Sequence, residues 1–192
     1  MTFLNKHILS TYAVSMVFCW FSGEIRILVL NHMELVKKVI LAGHFGVGKS
    51  SLVKRFVHQK FSDQYLTTIG VKIDKKVIEV GETQVKMMLW DVAGESSMVK
   101  VPKKYFAGAH GILYIFDATR EETYLNIEND LFEINKTLME VPVVVLANKS
   151  DLVDPSVEAA LKAKISIPFQ LTSAKTGENV EASFLELAQQ MI

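Results

Sequence analysis

The sequence predicts an α/β fold: a six-stranded, mostly parallel sheet with helices on both faces. Three observations carry this. From Leu35 onward, short apolar runs alternate with amphipathic stretches of helical period, the pattern of repeated β-α units. A phosphate-binding loop, Gly43-His44-Phe45-Gly46-Val47-Gly48-Lys49-Ser50, sits between the first such run and the first such helix. A second polar motif, Asn148-Lys149-Ser150-Asp151, follows a later apolar run. That is the carboxyl end of a strand, where open α/β sheets bind their ligands.

The apolar run Val36 to Ala42 reads as a buried strand over 36–42. In the loop after it, glycines let the backbone wrap an anion, and amides of the loop and the helix start point at it. Lys49 can reach the terminal phosphates, and the Ser50 hydroxyl can hold Mg²⁺. Ser51 to Val57 reads as an amphipathic helix, extended to 49–58. Thr67-Thr68-Ile69-Gly70 lies in the loop after this helix. A hydroxyl there can coordinate Mg²⁺ when a γ-phosphate is present. Strands are predicted over 71–80 and 84–90, with a hairpin at Gly81-Glu82 and hence one antiparallel edge. Trp90-Asp91-Val92-Ala93-Gly94 ends the second of them. The acid can hold Mg²⁺ through water, and the glycine amide can meet a γ-phosphate. Strands over 111–117, 142–148 and 166–171 alternate with helices over 121–138, 154–164 and 178–191. In the last helix Val180, Phe184, Leu187, Ala188 and Met191 fall on one face, which reads as a core face.

Asn148-Lys149-Ser150-Asp151 selects the base. Guanine presents two adjacent donors, the ring N–H and the exocyclic amine, and one carboxylate, Asp151, can accept both. Adenine lacks the pair, so the carboxylate would go unsatisfied, and such a site rejects the wrong base strongly. Asn148 is expected to tie this loop to the phosphate loop, and the Lys149 stem to lie along the base. Thr172-Ser173-Ala174-Lys175 follows the last apolar run, and its amides could meet the guanine oxygen.

With these motifs in this order, the chain resembles the Ras-superfamily small GTPases, in the Rab-like branch, from Leu35 to Ile192. Tyr105 to Gly111, Phe116-Asp117-Ala118-Thr119 and Tyr124 to Ile127 are similar to Rab segments. They are read as branch information rather than chemistry. The resemblance implies the small G domain of the P-loop NTPases, binding GTP or GDP with Mg²⁺ and hydrolysing GTP. It implies that Gly43, Gly46, Val47, Gly48, Lys49, Ser50 and Ser51 cradle the phosphates, with Ser50, Thr68 and Asp91 at the metal. Phe61 would lie against guanine, Gly94 would meet the γ-phosphate, and Asn148, Lys149, Asp151, Ser173, Ala174 and Lys175 would hold the base. Catalysis would fall to Lys49, Thr68 and the residue after Gly94. Effector, exchange factor and activating protein would dock through residues 62–70 and 92–107.

Three departures from the family pattern bear on activity. Glu95 stands where the family has a catalytic glutamine. An ionised carboxylate can only accept, and it adds negative charge beside the phosphates, so slow hydrolysis is expected. The alternative is a GTP-loaded binding module that signals by occupancy with negligible hydrolysis. Phe45 puts a bulky ring in the phosphate loop, where it could crowd the water-positioning residue and any arginine supplied by an activating protein, or merely pack against the switches. Val92 replaces a threonine, a mild change. A phosphate-loop kinase of small molecules is a further rival, disfavoured by the guanine motif.

With 192 residues the chain fits one domain. Its 21 basic and 21 acidic residues balance, which gives no nucleic-acid footprint. Lys72, Lys75 and Lys76, and Lys100, Lys103 and Lys104, read as small solvated clusters, with a partner surface the alternative for the second. The one cysteine, Cys19, excludes an internal disulfide, and no zinc-ligand spacing occurs. His44 reads as a bystander. Residues 1–32 form an apolar extension outside the resemblance, with runs over Ile8 to Phe21 and Ile25 to Leu30. Met33 is a candidate true start; a membrane-associating extension is the rival. The expectation is a cytoplasmic monomer, on membranes only through residues 1–32. The sequence stops at Met191-Ile192 with no prenylation cysteine, so no prenyl anchor is expected.

Overall fold

A computed structural model describes residues 12–21, 24–62, 67–94, 101–138 and 141–192. Along β2 (Glu24–Ala42), Val39 and Leu41 face one side of the sheet, and Ile40 and Ala42 the other. Both sets are buried, because this strand has helices on both faces. Val36, at the start of the same apolar run, is exposed instead.

Helix α1 (Lys49–His58) follows, with Leu52, Val53 and Phe56 inward. The hairpin of β3 (Val71–Val80) and β4 (Thr83–Val92) is antiparallel, with Lys72 opposite Asp91 and Val71 opposite Val92. The Ala93 amide then donates to the Gly70 carbonyl at 2.9 Å, just past the last pair. Strands β5 (Gly111–Asp117), β6 (Val143–Asn148) and β7 (Gln170–Thr172) complete the order β3-β4-β2-β5-β6-β7. Every neighbouring pair in that order except β3–β4 is parallel. Helices α2 (Ile127–Thr137) and α3 (Pro155–Lys164) cover one face; α1 and α4 (Val180–Gln190) cover the other. Phe56 of α1 and Phe184 of α4 stack with centroids 3.8 Å apart. The six expected strands and four helices are present.

Three elements differ from the sequence reading. The helix expected over 121–138 starts only at Ile127, after a 3₁₀ turn at Glu121–Thr123. The buried Thr123 hydroxyl accepts from the Asp117 amide at 3.0 Å and donates to the Arg120 carbonyl at 2.7 Å. Such local side-chain bonding competes with helix. Strand β7 is three residues long rather than 166–171, since Pro168 has no amide for a ladder; pairing with β6 begins at Gln170. A seventh strand, β1 (Tyr12–Phe21), pairs antiparallel with Glu24 to Met33, so β2 runs unbroken through Met33.

Lys76 also departs from the solvated reading. Lys72 and Lys75 are exposed, but the Lys76 ammonium lies 3.9 Å from the Phe56 ring centroid and pairs with Glu181 at 2.7 Å. Of the second cluster, Lys103 and Lys104 are exposed and Lys100 lies outside the described residues.

Candidate functional site

The phosphate loop joins the end of β2 to α1 at the carboxyl edge of the sheet. Its conformation demands glycine at defined positions. Gly43 has φ +133°, and a Cβ there would sit 2.0 Å from the Ile115 carbonyl oxygen. Gly48 has φ +97°, and a Cβ there would sit 2.2 Å from Asn148 Nδ2. The Lys49 side chain turns back into the loop, donating to the carbonyls of Gly43 and His44, each at 2.9 Å. Burial lowers this ammonium to about 8, and the Asp91 charge acts in the opposite direction. Gly94 packs directly on this corner. A Cβ on it would meet Lys49 Nζ at 2.6 Å and the His44 carbonyl at 2.7 Å.

Ser50, Thr68 and Asp91 come from α1, the following loop and β4, and they meet. The Ser50 and Thr68 hydroxyls are 2.8 Å apart. Both bond Asp91 Oδ2, Ser50 closely and Thr68 at 3.3 Å. Asp91 is 1% exposed, and its second oxygen, Oδ1, is buried without a hydrogen-bond partner. Burial raises this carboxyl; the Ser50 hydroxyl and the Lys49 ammonium oppose the rise. Two hydroxyls and a carboxylate with an unsatisfied buried oxygen are the hard donor set that Mg²⁺ takes, so the residues fit that ion. No cluster of three or more His, Cys, Asp or Glu suited to a metal occurs among the described residues.

The base half is built around Asn148. Its Nδ2 donates to the Val47 carbonyl at 2.8 Å, and its Oδ1 accepts from the Ala174 amide at 3.1 Å. One side chain at the end of β6 thus bonds both the phosphate loop and the loop after β7. Ser173 Oγ donates to Asp151 Oδ1 at 2.6 Å. Arg55 Nε donates to the Ala174 carbonyl at 2.8 Å, supporting the same loop from α1. A cavity of ≈ 270 Å³ opens between these groups. It is lined by Gly46, Gly48, Ser51 and Phe61 on one side and by Asn148, Lys149, Asp151, Ala174 and Lys175 on the other. A hollow of ≈ 380 Å³ around Val143 and Phe169 lies at the opposite ends of the strands, away from every motif.

Several residues of the site were not legible as chemistry. Asp117, read as branch information, is a fully buried hub. Its Oδ2 accepts from Lys149 Nζ at 2.5 Å and Arg120 Nε at 3.0 Å, and its Oδ1 accepts from the amide and hydroxyl of Thr119. Burial alone would push its carboxyl up, but Lys149 and Thr119 hold it below the usual carboxylate range. His44, read as neither ligand nor base, makes a contact within the protein. Its Nε2 lies 3.3 Å from Asp130 Oδ2, which also accepts from the Tyr114 hydroxyl at 2.7 Å. Burial, reinforced by Asp130, raises the Tyr114 hydroxyl pKa, so it stays the donor. These contacts link the phosphate loop to α2 and the core. Phe45 is half exposed. Glu95 and residues 96–100 lie outside the described residues, as do residues 63–66.

No helix among the described residues is long and apolar enough to cross a membrane. A model of the Ras family matches residues 38–192. The chain is also 37% identical over 160 residues to the GTP-binding protein ypt1 of Schizosaccharomyces pombe, an alignment covering 80% of this chain and 79% of that protein.

Proposed function

The chain belongs to the Ras family as a Rab-like small GTPase, and from that premise we propose how its own residues run a slow GTP/GDP switch. The loop amides from Gly43 to Ser51 and the Lys49 ammonium hold the phosphates. Asp151 accepts from the guanine edge, the amides of Ser173 to Lys175 meet its oxygen, and Phe61 and Lys149 flank the ring. Support comes from the shared cavity these groups line and from the Asn148 staple across it. Ser50, Thr68 and Asp91 would hold Mg²⁺, which supplies positive charge to the phosphate oxygens. Their convergence from three elements supports that assignment.

In the reaction, water attacks the γ-phosphorus in line. The bond to the β–γ bridging oxygen breaks, giving GDP and phosphate. Lys49 stabilises charge on the transferred group, and Gly94 contacts it through its amide. A glutamine after Gly94 would orient the water and donate toward the transition state. Glu95 cannot donate when ionised, and its charge opposes the charge already there. That single substitution carries the reading of slow turnover. Partners dock through residues 62–70 and 92–107, where Ile69 is 93% exposed.

The test is the nucleotide that the purified chain carries, released by denaturation and separated by chromatography, together with single-turnover hydrolysis. The expected result is bound GTP, with Glu95→Gln raising γ-phosphate release at least about tenfold. Bound GDP and an unaccelerated Glu95→Gln variant would overturn the role given to Glu95. Bound GTP with no hydrolysis in either protein would leave the occupancy-only module.

A further inference from the structure

We propose that Arg120 is a positioning residue that aims the Gly46 amide at bound phosphate; the proposal rests on the nucleotide reading above. Arg120 lies in the turn between β5 and α2, outside every nucleotide motif. Its guanidinium forks: Nη2 donates to the Phe45 carbonyl at 2.8 Å, and Nε donates to Asp117 Oδ2 at 3.0 Å. Asp117 is fully buried and shares that oxygen with Lys149, so the fork is anchored in the core rather than on the surface. Glu122, 3.7 Å from Nη1, adds a weaker contact on the solvent side.

The consequence follows from peptide geometry. The described chain has no cis bond, and in a trans peptide the C=O and the following N–H point in opposite directions. Holding the Phe45 carbonyl toward Arg120 therefore holds the Gly46 N–H away from it, and Gly46 lines the nucleotide cavity. Three more carbonyls of the loop are held in the same way, Gly43 and His44 by Lys49 and Val47 by Asn148. Gly46 has φ +76°, a left-handed conformation that turns successive amides into an anion-binding nest. Without an outer anchor, the flexible glycine would let this peptide rotate, and its amide would have to be ordered at each binding event. A lysine cannot reproduce the fork, because one ammonium cannot satisfy two directed acceptors as a planar guanidinium does.

The test uses the full chain with Mg²⁺ and displacement of a fluorescent GDP by GDP and by GMP. Arg120→Ala is expected to lower GDP affinity about tenfold, the scale of one well-placed hydrogen bond, with GMP affinity held within about twofold. General loosening of the fold would lower both affinities alike and overturn the proposal. Arg120→Gln keeps a donor of similar reach and is expected to recover part of the loss; it also serves if the alanine variant does not fold. The ³¹P resonance of the GDP β-phosphate is expected to move in Arg120→Ala. Unchanged GDP affinity and an unmoved resonance would overturn the role of Arg120 alone. Full recovery by Arg120→Lys would overturn the fork. A native chain that bound neither nucleotide would remove the nucleotide reading and this proposal with it.

Discussion

Asp117 shows what one buried charge does in this molecule. Its folded pKa lies below the unfolded carboxylate value of about 3.9, so on acidification the unfolded state takes the proton first. The stabilisation is complete above about pH 4 and is lost as pH falls through the folded value. Asp117→Asn is expected to cost about 2–3 kcal/mol at neutral pH, the scale of hydrogen bonds to a charged group. In denaturant melts, the gap between the two proteins should hold from pH 7 to 5 and narrow below 4. A gap that is flat down to pH 3 would remove the charge from the explanation. Asn148→Ala should act differently. It strands the Val47 carbonyl and the Ala174 amide, costs about 1–3 kcal/mol per unpaired group, and loosens GDP further by freeing two loops at once. Calorimetric titration with GDP measures that loss. Asn148 was readable because Asn148-Lys149-Ser150-Asp151 follows a phosphate loop in the same chain; alone it reads equally as a polar turn. Asp117 was not, because its main partner, Lys149, is 32 residues away and nothing in Phe116-Asp117-Ala118-Thr119 announces it.

Among the elements, α1 and α4 meet through the stacked rings of Phe56 and Phe184, both buried. Phe184→Ala should cost about 3–5 kcal/mol, because the site sits between two rigid helices and the sheet and collapses poorly. Chemical denaturation of the two proteins checks it, and a loss under 1 kcal/mol would mean the pair repacks freely. The α4 core face was legible because its spacing repeats over three turns. The start of α2 was not, since Glu121, Glu122 and Thr123 carry no signal that a buried hydroxyl will break the helix. The late start of β7 was missed although Pro168 carried the signal, since a residue without an amide cannot donate to a ladder. At the N-terminus of α3, Asp154 caps with its side chain accepting from Ser156 and Val157, and Pro155 follows at the first helical position.

For the whole molecule, every predicted nucleotide motif leaves the sheet at one edge, so GDP bound as proposed would touch loops from most of the central strands. Saturating GDP at a thousandfold its Kd should stabilise the chain by about 4 kcal/mol and keep a single thermal transition. Two separate transitions would show that the loops do not share one cooperative unit. This architecture was legible because strand and helix periods alternate cleanly after Leu35. The β1–β2 hairpin was not, because apolar runs such as Ile8 to Phe21 do not by periodicity tell strand from helix.

The rung formed by the Ala93 amide and the Gly70 carbonyl has a last consequence. The segments before β3 and after β4 leave the sheet from a common point, one bearing Thr68 and the other Gly94. Two pointers fixed to one pivot carry a single binary digit between them. A partner that reads both gains redundancy against error and no additional message.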